Sequence, residues 1–99
     1  MEMKVVAVTS CATGIAHTYM AAQAIEKICK QKGYECKVEK QGALGIEDKL
    51  KASDIKSADL IVFANDVGIT KADRFDDYKD KVKQTSPSAV IANPEVIFE

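Results

Sequence analysis

Ninety-nine residues, 46% apolar and 29% charged with a net charge of -1, are enough for one hydrophobic core and too few for two. The near-neutral balance gives no electrostatic case for nucleic acid or an anionic membrane as partner. No apolar run approaches the ~20 residues of a membrane span, and Met1-Glu2-Met3-Lys4 before a short apolar run is not a signal peptide, so a cytoplasmic protein without direct membrane insertion is expected.

In chain order, Val5-Val6-Ala7-Val8 is a β-branched run with no polar interruption, which predicts a strand buried on both faces of a parallel sheet. Ser10-Cys11-Ala12-Thr13-Gly14 then breaks the run before a helical pattern begins. Cys11 should therefore stand just past the carboxyl end of a strand and just before the start of a helix, where open α/β sheets place their chemistry. Loop and first-turn N–H groups without intrahelical partners, and the positive end of the helix dipole, would favour an anion there. Such a position lowers a thiol pKa from about 8.5 toward roughly 3.5 to 7.5 and suits a phosphate on or near the sulfur. Gly14 supplies the backbone freedom and the absence of a Cβ that close approach to a phosphate needs. Against this stands the commoner fate of cysteine, a small buried apolar residue.

Ala21, Ile25, Ile28 and Cys29 recur at helical spacing, which predicts a helix over Ala16–Lys32 with Gly33 as its stop and Cys29 in the core. Tyr34, Cys36 and Val38 alternate with Glu35, Lys37, Glu39 and Lys40, the pattern of a strand with one wet face at a sheet edge; Cys36 is then a half-buried packing residue. Gln41-Gly42-Ala43-Leu44-Gly45 reads as a second loop on the Cys11 side or as a plain turn. Residues 46–51 are expected as a short helix, and residues 53–58 as a turn or short helix capped by Ser53 or Asp54. Residues 60–64 are the second unbroken apolar run and the best central strand, followed by a third loop at 65–68 in which Asp66 is either a backbone cap or a chemical group. Residues 70–83 are dense in charge and read mostly as a solvated face; Arg74, the single arginine, is a minority candidate to reach a phosphate. A weak fourth strand at 81–85 leads to Ser86-Pro87, a helix start, and a last helix over 89–98 broken at Asn93-Pro94.

These pieces give a β-α-β-α-β-α-β-α order. Right-handed crossovers then make residues 1–99 a single α/β domain, a small doubly wound, Rossmann-like, four-stranded parallel sheet with helices on both faces and the Cys11 loop in the crevice where strand order reverses. Three cysteines without CxxC spacing and one histidine support neither a disulfide framework nor a metal site. Neither GxGxxG nor GxxxxGK[ST] occurs, so no nucleotide cofactor is expected.

Cysteine loops that hydrolyse phosphate esters, as in tyrosine phosphatases and arsenate reductases, need Cys-x5-Arg, whose guanidinium forks onto the transferring group. Here that place is held by His17, a ring that cannot fork two hydrogen bonds. A site that accepts phosphate on sulfur without an apparatus for giving it to water has the character of a phosphoryl carrier.

The run from Cys11-Ala12-Thr13-Gly14-Ile15-Ala16-His17-Thr18 through Tyr19-Met20-Ala21-Ala22 closely resembles the phosphorylation loop of enzyme IIB in the fructose family of the bacterial phosphoenolpyruvate-dependent sugar phosphotransferase system. Further matches are Val38-Glu39-Lys40-Gln41-Gly42, Asp54-Ile55, Ala58-Asp59, Ala64 with Asp66, and Arg74-Phe75. The resemblance implies a four-stranded parallel sheet, a phosphocysteine at Cys11, a phosphohistidine of enzyme IIA as donor, and a sugar held by the membrane component enzyme IIC as acceptor. Two positions depart from the family pattern: Ala12 stands where proline is usual, and Lys40 where threonine is common before Gln-Gly. Fructose, a fructose-like sugar and a mannose-type ketose or polyol all remain open. On this reading Cys11 is the nucleophile and the backbone amides of residues 12–17 hold the phosphoryl oxygens. Thr13 and Thr18 add hydroxyl donors, His17 either bonds within the loop or is a polar first-turn residue, and Gln41, Asp66 and Arg74 approach from neighbouring loops. The competing readings are a small cysteine-loop phosphatase or arsenate reductase, and a non-catalytic regulatory module of the same fold.

Overall fold

The computed structural model describes residues 3–11, 16–43 and 45–99. Five strands form one sheet in the order β3-β2-β1-β4-β5, with β1 (Lys4–Ser10), β2 (Glu35–Gly42), β4 (Leu60–Asn65) and β5 (Val82–Thr85) mutually parallel. The doubly wound arrangement is as expected, and the sequence's second apolar run is the strand beside β1. Val5 to Val8 are fully buried because they face different cores on alternate residues. Val5 and Ala7 pack with α1 (Ala16–Lys32) and α3 (Pro87–Ala92), while Val6 and Val8 pack with Ile55 of α2 (Ala52–Ser57) and with Phe75.

Helix α1 runs over the residues its periodicity predicts, burying Ala21, Ala22, Ile25, Ile28 and Cys29. Its end is a Schellman closure: Gly33 takes φ 74°, its N–H donates to the Lys30 carbonyl at 3.1 Å, and the Tyr34 N–H reaches the Cys29 carbonyl at 2.8 Å. Ser86 caps α3, its Oγ accepting the Ala89 N–H at 3.2 Å, with Pro87 in the first turn. The helix stops before Asn93-Pro94, and a 3-10 turn, Pro94–Phe98, follows.

Four expectations are corrected, the first being the sheet itself, which is five-stranded and mixed rather than four-stranded and parallel. Residues 46–51 do not form a helix: Gly45–Glu47 is a fifth strand, β3, antiparallel to β2 and pairing Ile46 with Gln41. Gly45 at φ 101° turns the chain back, and Asp48 at φ 53° ends the strand. Consequently β2 is not an edge strand at its carboxyl end. Glu39, read as part of a wet face, is fully buried, enclosed by Arg74, Leu50 and Gln41. At α2 neither Ser53 nor Asp54 is the N-cap residue; Lys51 is, and the Asp54 carboxylate reaches back to accept the Lys51 N–H at 3.0 Å.

The charged segment folds as 3-10 turns over Ala72–Lys81, kinked at Tyr78. Its acidic side chains and Lys79 face solvent as the composition predicts, Lys81 donates to the Ala58 carbonyl at 2.9 Å, and Phe75 inserts beneath them, edge-to-face on Phe63 at 4.9 Å. No helix among the described residues is long and apolar enough to cross a membrane.

Candidate functional site

Because β1 is central and neighbouring crossovers diverge from it, the chain leaves β1, β2 and β4 at the same edge of the sheet. Cys11 follows β1 directly and is buried. It is only 5% exposed, and it lines a cavity of about 310 Å³ together with Ser10, Gln41, Gly42, Gly45, Val67, Gly68 and Thr70. Across from it Thr18, buried in the first turn of α1, donates its hydroxyl to the Cys11 sulfur at 3.1 Å.

Of the expected site residues, Cys11, Thr18 and Gln41 are brought together. Ala12, Thr13, Gly14 and Ile15 lie outside the described residues. Ala16 and His17 open α1 and are exposed. Asp66 is exposed and outside the cavity lining; its backbone N–H donates to the Ser10 carbonyl at 3.0 Å, and the neighbouring Asn65 amide, rather than Asp66, bonds loop backbone at the Val67 carbonyl.

Arg74 does not face the cavity. Its guanidinium forks onto Glu39, Nη1 to Oε1 and Nη2 to Oε2, both at 2.9 Å, and Nε donates to the Lys71 carbonyl at 2.8 Å. With each of its three nitrogens donating, Arg74 neutralises a buried carboxylate. Glu39 also accepts the Leu50 N–H at 2.8 Å and the Gln41 side-chain amide at 2.7 Å. Burial pushes the Glu39 carboxyl up, but the Arg74, Gln41 and Leu50 donors outweigh it and hold the group below the usual carboxylate range. Gln41 in turn grips Thr70 twice, accepting its N–H at 2.8 Å and donating to its carbonyl at 3.0 Å.

Sequence reasoning missed Glu39 and Glu47. The Glu39 signal was present as parity: Glu39 and Gln41 lie two apart on one strand and so share a face. Glu47 on β3 accepts the Tyr19 hydroxyl and thereby raises the Tyr19 pKa, tying α1 to the rim of the cavity. Lys40, at the position where threonine is common, pairs with Asp48. Cys29 is buried in the apolar cluster and Cys36 packs partly buried against it, packing residues as expected; the neighbouring Cys29 thiol, then burial, pushes the Cys36 thiol up.

A doubly wound α/β protein with a cysteine at the carboxyl end of its central strand, opening on a cavity among three loops, is the class this architecture defines. Residues 6–99 match the family model described as PTS system, Lactose/Cellobiose specific IIB subunit, and the chain belongs to that family. It is 51% identical over 72 residues to the PTS system fructose-like EIIB component 2 of Escherichia coli strain K12, covering 73% of this chain and 68% of that one. It is 45% identical over 97 residues to the PTS system fructose-specific EIIB'BC component of Rhodobacter capsulatus, covering 98% of this chain but only 16% of that longer protein. Among solved structures, a domain of the fructose-specific IIABC component of Borrelia burgdorferi superposes with a TM-score of 0.89 at 41% identity, covering 99% of this chain and 91% of that one. The chain is thus a phosphotransferase component, and its role is phosphoryl transfer in a sugar phosphotransferase system.

Proposed function

We propose that residues 1–99 act as one enzyme IIB unit in which Cys11 carries the phosphate. The thiolate attacks phosphorus on a phosphohistidine of enzyme IIA; the P–S bond forms as the P–N bond breaks, and the departing imidazole nitrogen takes up a proton. A sugar hydroxyl held by membrane enzyme IIC then attacks the same phosphorus, the P–S bond breaks, the thiolate returns, and the hydroxyl proton passes to a base of the acceptor site. The acceptor is fructose or a fructose-like sugar, in keeping with the relatives' names. The work is done at the cytoplasmic face of the membrane.

The observation that supports this most directly is Cys11 at the carboxyl end of β1, bordering an open cavity with the Thr18 hydroxyl on its sulfur. Amides of residues 12–17 are the proposed holders of the phosphoryl oxygens. The phosphatase reading loses support because the single arginine is committed to Glu39 and His17 occupies its usual place.

Incubation with phosphoenolpyruvate, the general phosphotransferase proteins and enzyme IIA should add one phosphate to the wild type and none to Cys11→Ser. Equal labelling of the variant would sink the proposal. Turnover of an aryl phosphate or of arsenate by the wild type alone would favour the phosphatase instead.

A further inference from the structure

Beneath the cavity lies a charge that touches no reacting atom. Register places Glu39 beside Val8 and Gln41 beside Ser10, so both side chains stand on the sheet face that holds Phe75 and Ile55. Glu39 is fully buried there, and its two oxygens take four donors. Oε1 receives Arg74 Nη1 and the Leu50 N–H; Oε2 receives Arg74 Nη2 and Gln41 Nε2.

Those donors come from three stretches of chain: the end of β2, the segment after β3, and the turn after β4. Gln41 and Thr70, which its amide clasps, both line the Cys11 cavity. An apolar side chain of the same volume would fill the space without the desolvation cost of an ion pair. What the carboxylate adds is direction. With Oε2 fixing Nε2 of Gln41, the amide has one orientation available, and that orientation matches the donor and acceptor of Thr70.

We infer that Glu39 is a positioning residue for phosphoryl transfer at Cys11, acting through Gln41 and Thr70 to hold two walls of the cavity at a fixed separation. The inference rests on the proposal that Cys11 carries the phosphate. Arg74 completes the device by cancelling a negative charge that would otherwise lie under an incoming dianion.

Three variants test it: Glu39→Gln, Gln41→Ala, and Val90→Ala as a control whose buried side chain lies on the opposite face of the sheet. Each Glu39 oxygen serves two donors, so a glutamine there must turn its NH2 toward donors in either orientation. Gln41→Ala leaves the Glu39–Arg74 pair intact and removes the Thr70 clasp together with one of the four donors on Glu39. Phosphorylation of Cys11 by phospho-enzyme IIA is followed in single turnover over a range of donor concentrations, with urea midpoints for all four proteins. Glu39→Gln and Gln41→Ala are each expected to lose about tenfold or more in the rate at saturating donor with little change in half-saturation, as misplacement by a fraction of an ångström does. Val90→Ala should lose stability and keep its rate. If Glu39→Gln fails to fold, Gln41→Ala decides alone. A wild-type rate at saturation in Gln41→Ala, or an equal rate loss in Val90→Ala, overturns the inference while leaving the carrier reading standing. Absence of label on wild-type Cys11 overturns both.

Discussion

Glu39 and Arg74 show how one residue pair can be visible in a sequence and yet unreadable there. Arg74 is the only arginine and stands among exposed acids, so a free guanidinium near a phosphate site was a reasonable expectation. Its partner sits 35 residues away, and nothing local announces it. Glu39 lay in an alternating stretch with Lys37, which reads as a solvent face until β3 is known to pair with the end of β2. The pair carries a pH signature. Because the folded Glu39 carboxyl is held below its ordinary value of about 4.3, its stabilising contribution is complete above that value and is lost as pH falls through the lower folded pKa. The urea midpoint should therefore hold steady from pH 7 to about 5 and drop below about 4. Arg74→Met, which strands a buried carboxylate, should cost about 3 to 5 kcal/mol at pH 7. It should lose less at pH 3, where protonation relieves the orphaned charge. An Arg74→Met penalty that does not shrink in acid would refute this account of the pair.

At the scale of elements, legibility followed length. Helix α1 was clear because 17 residues repeat the same apolar spacing, and β1 because four consecutive apolar residues have no wet face. Strand β3 was not, since three residues with two-residue periodicity cannot be told from one turn of helix. The Cys11 position was legible because it follows from the boundary of β1 and the start of α1, whereas the cavity was not, because β3 and the turn after β4 supply much of its wall. The α1 stop was legible as chemistry. Gly33 at φ 74° has no atom within 4 Å of where a Cβ would stand, so alanine there meets no clash and only backbone strain. Gly33→Ala should cost about 1 kcal/mol and lower Tm by about 4 to 8 °C, readable by thermal denaturation. A Tm unchanged within a degree would mean that the helix end is not held by its left-handed residue.

For the whole molecule, the sheet is anchored unevenly, and the uneven part is the functional edge. Strand β1 pairs along seven residues with β2 and six with β4, whereas β3 holds on by three pairs and the Tyr19–Glu47 contact. Amides of Val6, Ala7 and Val8 should therefore exchange with solvent only through global unfolding, and those of Ile46 and Glu47 through a local opening that leaves the sheet intact. Native-state hydrogen exchange in rising sub-denaturing urea separates the two: the β1 amides should follow the global slope, and the β3 amides should show almost none. The contrast matters for the site, because β3 contributes Gly45 to the cavity in which phosphate is proposed to rest. On the proposed carrier role, a partner reaching a sulfur only 5% exposed needs one wall able to yield at low cost, and the three-pair edge is the part of the sheet with least to hold it. If β3 exchanged as slowly as β1, that wall would be as rigid as the core, and access to Cys11 would have to come from another side of the cavity.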